Sequence, residues 1–336
     1  MNPPSRESLL SGEALGQRYA LAVPQTALAG ATGNQLGRRA GTSIDFQDYR
    51  EYQPGDDLRT IDWNVFARTD RLTIKLFREE VNPHLDLLLD ASRSMDLEAT
   101  PKSAALLRLA ALLATAAENA RCTHATWLAG DGFMRVANDT LLPSAWEGFN
   151  FASRRPIDEA FAILPPRLRR LGIRVLVSDL MWPVDPLSIL RRLADGAAAV
   201  FVVQLLSQAD TEPPEHGNVQ LVDSESGEER EIFVDATVAA QYRDALARHR
   251  ESWDTACRQT GARFVSLVAE KLDTSLPALE EAQLLVPRDA MKAPNPKHPI
   301  PKKHQTTNSR SDDASAVFGA WDLELLWSLE LGTWDL

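Results

Sequence analysis

The residues of this chain that could bind a metal ion follow two apolar segments. The stretch LDLLLDASRSMD runs from a strand-like apolar sequence into Asp90, Ser92 and Ser94, and the later stretch IRVLVS runs into Asp179. Carboxylate and hydroxyl oxygens are the ligands that hard cations such as Mg²⁺, Mn²⁺ and Ca²⁺ prefer, and they suit zinc poorly. Because the carboxyl ends of parallel strands meet at one edge of a sheet, the sequence predicts an oxygen-rich metal site there, with Mg²⁺ as its candidate cofactor.

A second interpretation of the two serines needs no metal. An Asp-x-Ser-x-Ser pattern is short enough to occur often by chance, and serine hydroxyls commonly cap the helix that follows a strand. The residues alone therefore leave a metal site and a helix cap as alternatives.

Strand-like and helix-like patterns alternate along the middle of the chain. HLDLLLD, IRVLVSD and AAAVFVVQLL are short apolar runs, typical of strands buried on both faces. Between the first two runs, TPKSAALLRLAALLATAAENA predicts a largely buried helix, with Thr100 as its cap and Pro101 at its first helical position. A hairpin turn is expected at Asp131 and Gly132. The order predicts an α/β fold with a doubly wound, mainly parallel sheet, whose ligands bind at strand ends.

The second half of the chain completes this pattern and then becomes polar. We expect a hairpin with its turn at 225–227, a long helix from about Thr237 to Thr260, the strand ARFVSLV, and a closing helix near Leu276 to Gln283. After Arg288 comes a stretch rich in Pro, Lys and Ser, and then a repeat of the unit Trp-(Asp/Ser)-Leu-Glu-Leu. We expect residues 289–336 to be a disordered linker and tail, with a docking peptide as the alternative interpretation of the repeat.

Composition limits the class of protein. The 336 residues are 44% hydrophobic and 25% charged, which is typical of a soluble globular protein. The net charge of −11 and the pI near 5.1 argue against nucleic acid or an anionic membrane as a partner. The two cysteines, Cys122 and Cys257, have no metal-type spacing and favour a reducing compartment. Since no stretch resembles a leader or a membrane span, we expect a cytoplasmic protein.

A segment with alternating charge lies upstream of the predicted site. Its notable residues are Arg50, Asp56, Asp57, Arg59, Asp62, Trp63 and Arg68. One interpretation is a salt-bridged arm, anchored by Trp63, that covers the sheet. A second is a surface that docks a partner beside the metal site. A third is a nuclease-like, metal-dependent hydrolase that uses the clustered aspartates, although no general base, nucleophile or basic groove accompanies them.

The histidines and the remaining charge runs are assigned no function. His84, His124 and His249 lie far apart in the sequence and share no spacing. The run ESGEEREIF is expected to be a solvated hairpin tip.

Two signatures resemble known families. The Asp-x-Ser-x-Ser pattern after one strand, with a later strand ending in Asp, resembles the metal-ion-dependent adhesion site (MIDAS) of the von Willebrand factor A fold. The segment GTSIDFQDYREYQPGDDLRTIDWNVFARTDRLTIKLFREE, followed by DASRSM, resembles the bacterial family catalogued as domain of unknown function 58, over about Gly33 to Leu285. We accordingly divide the chain into four parts: an N-terminal extension (1–32), a family-signature arm packing on the sheet (33–80), a von Willebrand factor A-like domain with a β-hairpin insertion (81–288), and the linker and tail (289–336).

The resemblance implies a protein-interaction module rather than an enzyme. Members of this family are commonly encoded with MoxR-type AAA+ ATPases and are thought to act with them in chaperone-like or maturation roles, so the expected partners are such an ATPase or its client protein. Metal sites of the A type usually take a further threonine from a loop. The corresponding stretch here, GFNFASRRPIDEA, offers only Ser153, beside Arg154 and Arg155. This departure leaves open whether the site binds a metal.

Overall fold

The computed structural model describes residues 3–24, 46–56, 58–77, 83–97, 100–213, 217–224, 228–291 and 333–334. Its strands are β1 (Tyr19–Leu21), β2 (Phe46–Glu51), β3 (Thr73–Phe77), β4 (His84–Asp90), β5 (Thr123–Gly130), β6 (Gly132–Asn138), β7 (Ile173–Ser178), β8 (Ala199–Leu206), β9 (Gly217–Val222), β10 (Glu229–Val234), β11 (Arg263–Val268), β12 (Leu285–Pro287) and β13 (Thr333–Trp334). Its α-helices are α1 (Pro3–Gly16), α2 (Trp63–Thr69), α3 (Lys102–Asn119), α4 (Ile157–Ile163), α5 (Pro186–Ala194), α6 (Gln208–Thr211), α7 (Ala236–Thr260), α8 (Leu272–Glu281) and α9 (Arg288–Met291).

A six-stranded sheet with the order β11-β8-β7-β4-β5-β6 forms the centre of the fold. All neighbouring strands in it are parallel except β5 and β6, which form an antiparallel hairpin. Gly132 in the hairpin turn has a φ of 113°, a conformation that favours glycine. The predicted α/β fold with a mainly parallel sheet is therefore confirmed, as is the hairpin turn at Asp131 and Gly132.

The sheet is buried on both faces, which explains why its strands have continuous apolar sequences. In β4, Leu87 and Leu89 pack in one hydrophobic cluster, while Leu88 between them packs in another. The first cluster contains most of α3, and the second contains the inward sides of α5 and α7. Side chains alternate across a strand, so a strand covered by helices on both sides needs apolar residues at every position.

The Ala- and Leu-rich helix α3 is buried along most of its length, as its sequence predicts. The predicted capping role of Thr100 is wrong. Pro101 occupies the N-cap position, and the hydroxyl of Thr100 lies 3.4 Å from the backbone carbonyl of Leu97, so it is engaged in the preceding turn. Among the described residues, no helix combines the length and the apolar character needed to cross a membrane.

Later elements agree with the sequence to within a turn. Helix α7 covers the predicted long helix, and β11 coincides with the predicted strand. Helix α8 begins at Leu272, one turn before the predicted Leu276, because a 3₁₀ turn at Ala269–Lys271 leads directly into it and Leu272 is buried. The predicted turn at 225–227 lies outside the described residues.

The first described residues belong to the main core. Helix α1 packs along α3, with Leu9 fully buried. A Cβ atom at Gly12 would collide with the backbone oxygen of Arg108, so the close approach of these two helices requires glycine. Strand β1 then pairs with β12, placing Tyr19 opposite Pro287. Both ends of the main domain are thus joined in one small sheet.

Two further sheets complete the fold. β2 and β3 form an antiparallel pair in the arm, on either side of α2 in sequence. β10, β9 and β13 form a three-stranded sheet in which Trp334 lies opposite Leu221. Within the described part of the chain, the hydrophobic clusters are made of residues outside 46–77. Packing of the arm on the main sheet therefore stays a prediction.

Candidate functional site

The predicted metal ligands meet at the carboxyl edge of β4 and β7. These strands are neighbours, with Leu89 opposite Val177, yet the chain leaves them in opposite directions, from β4 to β5 and from β7 to β8. Such a reversal opens a crevice at the strand ends, where open α/β sheets bind their ligands. The residues brought together there, all of them buried, are Asp90, Ser92, Ser94 and Asp179.

Hydrogen bonds reach both carboxylate oxygens of Asp90. The backbone amide of Ser92 donates to Oδ1 at 2.8 Å, and the hydroxyl of Ser178 donates to Oδ2 at 2.6 Å. The hydroxyls of Ser92 and Ser94 lie 3.0 Å apart, and Ser92 precedes a short 3₁₀ turn without capping it through its side chain. Burial, and then the charge of Asp179, raise the pKa of Asp90 to about 7. Because the Ser92 side chain makes no capping bond, the structure gives the helix-cap interpretation of Ser92 no support.

A buried lysine lies between two carboxylates at this edge. The Nζ atom of Lys102 lies 3.1 Å from Oδ2 of Asp179 and 3.1 Å from Oδ2 of Asp210. Burial acts to lower the pKa of Lys102, but the two carboxylates outweigh it and raise that pKa above its usual value, so the lysine is charged. Asp210 is fixed in turn by a capping box with Ser207 at the start of α6.

The turn after β7 directs Asp179 towards the lysine. Leu180 has a φ of 62°, in the left-handed region that costs a non-glycine residue energy. Its amide donates to the hydroxyl of Ser178 at 2.8 Å, and its carbonyl accepts a 3.0 Å bond from Nε2 of His249. The amide of Met181 donates to Oδ1 of Asp179 at 3.2 Å. These contacts hold the strained turn and so fix the position of Asp179.

The side chains at this edge include oxygen donors of the type that hard divalent cations accept. Three carboxyl groups, those of Asp90, Asp179 and Asp210, accompany the single ammonium of Lys102, so acidic groups outnumber basic groups here. The described residues contain no cluster of three or more His, Cys, Asp or Glu side chains that could hold a metal. An ion would therefore depend on the hydroxyls of Ser92 and Ser94 together with Asp90, an all-oxygen set of the kind Mg²⁺ accepts.

Ser153 lies beside this group, although a threonine is expected in its place. Its backbone pairs with the Ser92 loop, through Arg93 amide to Ser153 carbonyl at 2.9 Å and Ser153 amide to Ala91 carbonyl at 3.1 Å. The Ser153 hydroxyl accepts a 3.2 Å bond from the amide of Arg155. The loop thus brings its one hydroxyl to the edge of the site.

The positive charge of Arg155, beside that loop, is neutralised by two carboxylates. The guanidinium of Arg155 pairs with Asp131 at 2.9 Å and with Glu159 at 3.0 Å. Both partners are exposed, so these ion pairs contribute little to stability, but they satisfy the charge of Arg155.

Sequence reasoning missed three residues of the site, Lys102, Ser178 and Asp210. Two signals were available for them. Lys102 is the first helical residue of an otherwise Ala- and Leu-rich helix that must begin near the end of β4, and Ser178 directly precedes Asp179. No local pattern marks Asp210, because it reaches the site from α6, the short helix after a third strand, β8.

In the arm, Arg50 forms a salt bridge with Asp56. Nη2 of Arg50 lies 2.9 Å from each carboxylate oxygen of Asp56, and the amide of Gln53 also donates to that carboxylate at 2.8 Å. The amide of Gln53, and then the guanidinium, lower the pKa of Asp56. The adjacent Asp57 lies outside the described residues.

Asp62 organises the rest of the arm. Its Oδ1 accepts bonds from the amides of Asn64 at 2.9 Å and Val65 at 3.3 Å, which caps α2, and its Oδ2 lies 3.1 Å from both the Tyr49 hydroxyl and Nζ of Lys75. Burial acts to raise the pKa of Asp62, but the bond from Lys75 and those from the backbone amides outweigh it and lower that pKa. Asp62 therefore joins α2 to both strands of the arm.

Trp63 lies on the surface of the arm, so the interpretation in which it anchors the arm gains no support. It is 61% exposed, and its ring meets that of Phe66 edge to face at 6.1 Å. Leu58 is equally exposed, and the nearby Arg59 and Arg68 are also exposed. Exposed aromatic and arginine residues are typical of surfaces that bind proteins.

Comparison with known proteins agrees with the arm and sheet motifs. The family model described as "Protein of unknown function DUF58" matches residues 48–252. The chain belongs to the DUF58 family. One relative, "Uncharacterized protein Rv1480" of Mycobacterium tuberculosis, is 30% identical over 256 residues, which cover 71% of this chain and 79% of that protein. "Uncharacterized protein MAV169" of Mycobacterium avium is 31% identical over 103 residues, 31% of this chain and 60% of that protein. The family resemblance predicted from the sequence is thus confirmed.

Solved structures show only a distant similarity to this DUF58 chain. The "conserved hypothetical protein BatB" of Bacteroides thetaiotaomicron is 11% identical, with a TM-score of 0.31 over 60% of this chain and 98% of that chain. An "aerotolerance-related membrane protein" of Bacteroides fragilis is 12% identical, with a TM-score of 0.31 over 60% of this chain and 100% of that chain. Similarity at this level carries no argument, so the description of the fold rests on its strand order.

Proposed function

We propose that this DUF58 protein is a non-enzymatic protein-interaction module with a von Willebrand factor A-like sheet. It acts with a MoxR-type AAA+ ATPase, or with that ATPase's client, in chaperone-like or maturation processes. The observation that carries the proposal is the meeting of Asp90, Ser92, Ser94 and Asp179 at one edge of the sheet. We also propose a cytoplasmic location, which the two free, buried cysteines support.

At this edge, the protein oxygens would bind a metal ion, and the ion would bind a carboxylate of the partner. When bound, Mg²⁺, or Mn²⁺ or Ca²⁺ in its place, would supply a position that an Asp or Glu oxygen of the partner can fill. Asp90, Ser92 and Ser94 would hold the ion, and the ion pair with Lys102 would keep Asp179 beside it. Few carboxylates then bind the ion directly, which favours a further anionic ligand.

The arm supports the same function with a second surface. Trp63 and Leu58 are each 61% exposed, and large exposed apolar side chains near arginines favour contact with another protein. If the metal site is not used, docking through this surface is the alternative route to the same partner.

A metal-dependent hydrolase is the rival function. In the arm, Asp56 is paired with Arg50 and Asp62 with Lys75, so these aspartates are already bound to cations. Their pairing gives no support to a catalytic metal there. Turnover of generic phosphodiester or nucleotide substrates with Mg²⁺ or Mn²⁺, abolished by Asp90→Ala, would favour the hydrolase.

The deciding experiment combines titration with pull-down. We expect isothermal titration to show Mg²⁺ or Mn²⁺ binding to the full chain. Pull-down of the MoxR-type ATPase or its client should weaken about tenfold or more with EDTA and in the variants Asp90→Ala, Ser92→Ala and Asp179→Ala, because each change removes an oxygen from the site. Asp244→Ala, which removes an exposed carboxylate on α7, is the matched control and should leave both signals unchanged.

Circular dichroism should show that the variants remain folded, although Asp179→Ala should be the least stable of them because it removes one partner of buried Lys102. No binding of Mg²⁺, Mn²⁺ or Ca²⁺, together with a pull-down that is indifferent to EDTA, would rule out the metal bridge. Loss of the pull-down in Trp63→Ala under those conditions would assign docking to the arm.

A further inference from the structure

A cavity of about 630 Å³ opens at the edge of the main sheet opposite to the candidate metal site. It lies where β4 and β5 begin, and Nδ1 of His84 and the hydroxyl of Thr123 meet there at 2.7 Å. The segment 165–172, which leads into β7, contributes a second side. Strand β6 contributes Arg135 from a third side. The cavity is therefore built from four separate parts of the fold.

Buried Asp86 fixes one wall of this cavity. The indole nitrogen of Trp127 donates to its Oδ1 at 3.0 Å, and the backbone amide of Arg169 donates to its Oδ2 at 2.9 Å. Nε2 of His84 lies 3.4 Å from Oδ1. Because these groups occupy both oxygens, Asp86 holds the segment 165–172 against the sheet. Among the described residues, Asp86 forms no ion pair with the arginine side chains of that segment.

The backbone of the segment 165–172 is held before any ligand arrives. The amide of Leu171 donates to the carbonyl of Gly196 at 2.7 Å, with Leu171 at a φ of 56°. A Cβ atom at Gly172 would lie 3.0 Å from the backbone oxygen of Arg169 and 3.4 Å from Oδ2 of Asp86, so the chain passes close to the strand ends there. Nη2 of Arg174 also donates to the carbonyl of Arg169, at 3.3 Å. The side chains that line the cavity thus extend from fixed points.

The lining of the cavity carries more positive than negative charge, with four arginines against the carboxylates of Asp86 and Asp139. Its arginines are Arg135, Arg167, Arg169 and Arg170, all of them exposed. Arg169 donates from Nη1 to the Thr123 hydroxyl at 3.0 Å, and within the described part of the chain no carboxylate forms an ion pair with any of the four. In a chain whose net charge is −11, a group of unpaired arginines at one cavity indicates an anionic ligand.

Among the described residues, a buried histidine in the lining of the same cavity has a partner at one ring nitrogen: Nε2 of His124 lies 3.4 Å from Oε1 of Glu118. His124 is 1% exposed and lines the cavity, and among the described residues its Nδ1 atom has no hydrogen-bond partner. Buried polar atoms are rarely left without one, since the lost hydrogen bond costs free energy.

We propose that this cavity is a binding site for a small phosphate-bearing molecule, recognised by Arg135, Arg167 and Arg170. The guanidinium group presents a planar fork of N–H donors that matches two phosphate oxygens at once. Arg169 and His124 complete the polar lining. The site lies at the opposite end of the strands from Asp90 and does not depend on a metal or on the proposed partner.

Volume and charge favour a small molecule over an acidic protein segment. Cavities of about 300–1,000 Å³ are the usual size of small-molecule sites. An extended acidic segment would run beyond the arginines onto the surface of a chain with a net charge of −11, where it would be repelled. A compact, multiply charged phosphate places its charge within the cavity.

The test measures binding of sodium pyrophosphate and of ADP to the full chain by isothermal titration, in metal-free buffer at physiological ionic strength. We expect saturable binding of at least one of them by the unmodified chain. The triple variant Arg135→Gln, Arg167→Gln, Arg170→Gln should lose about tenfold or more in affinity, since hydrogen bonds between charged groups are removed. The charge-matched control Arg6→Gln, Arg243→Gln, Arg248→Gln changes three exposed arginines elsewhere and should bind within about twofold of the unmodified chain.

Each of the following three outcomes would overturn the proposal. Absence of binding of both probes by the unmodified chain shows that the cavity takes no phosphate. Equal losses in the two triple variants show a non-specific effect of net charge. Binding of a hexaglutamate peptide but of neither phosphate probe assigns the arginines to a protein partner. Because the buffer contains no metal, failure here leaves the metal-bridge proposal unaffected, and the reverse also holds.

Discussion

Removing the ammonium group of Lys102 should lower the stability of this fold. Lys102 is 2% exposed and pairs with Asp179 and Asp210 at 3.1 Å, so Lys102→Met would leave two carboxylates without their cation. Breaking a buried ion pair from one side commonly costs about 3–5 kcal/mol. We expect a loss of that order in the free energy of unfolding, measured by urea denaturation.

Two controls make the Lys102 prediction specific. Lys271→Met, at an exposed position, should change stability by less than about 0.5 kcal/mol. Adding Asp210→Asn to Lys102→Met should recover part of the loss, because one of the uncompensated charges is then removed. A Lys102→Met chain as stable as the unmodified one would show that the lysine is not a required cation.

Single site residues are predictable when a local sequence pattern fixes their place in the fold, and unpredictable when a tertiary contact does. Asp90 and Asp179 were placed at one edge correctly, because each directly follows an apolar strand and parallel strands share their carboxyl edge. The contact of Lys102 with Asp179 joins residues 77 positions apart, and no spacing rule predicts it. The histidines show the same limit, since His84 and His124 seem unrelated in sequence but line one cavity.

In the arm, helix α2 should depend on Asp62. Its carboxylate accepts bonds from Asn64 and Val65 at the start of the helix and pairs with Lys75 of β3, so Asp62→Ala removes the cap and the ion pair together. We expect Tm to fall by about 2–4 °C and the amide hydrogens of α2 to exchange faster. Differential scanning calorimetry and hydrogen exchange followed by mass spectrometry would measure the two effects.

Asp62→Asn is the matched control for this prediction. Asparagine caps a helix about as well as aspartate but cannot form the ion pair, so its effect should be smaller. If Asp62→Ala leaves Tm and exchange unchanged while partner binding is lost, the residue serves an interface rather than the arm's structure.

Most secondary-structure elements were predictable because burial on both faces leaves a clear apolar pattern. The strands β4, β7 and β8 and the helix α3 show this. Their boundaries were less predictable. Thr100 has the residue type of a cap but bonds to Leu97, and Leu272 begins α8 early because tertiary packing buries it. The role of α1 was not predicted, since its contact with α3 depends on a close approach at Gly12.

Across the whole molecule, the two ends of the central sheet differ in charge. The carboxyl edge carries the carboxyl groups of Asp90, Asp179 and Asp210 with one lysine, while the cavity at the amino edge carries four arginines against the carboxylates of Asp86 and Asp139. A cation at one edge and an anion at the other would each correct a local imbalance. Because the strands connect the two edges directly, the sheet could support two ligands of opposite charge.

Truncation after Arg288 tests which residues the main domain requires. Strand β12 ends at Pro287 and pairs with β1, and the amide of Arg288 donates to the carbonyl of Arg18 at 3.0 Å, so the shortened chain keeps the contacts that join its two ends. It loses α9 and β13, of which β13 pairs with only two residues of β9. We expect a single cooperative unfolding transition with Tm within about 2 °C of the full chain, measured by calorimetry. Loss of cooperativity would show that the Trp repeat packs on the domain, whereas an unchanged Tm with loss of partner binding would identify the repeat as a docking peptide.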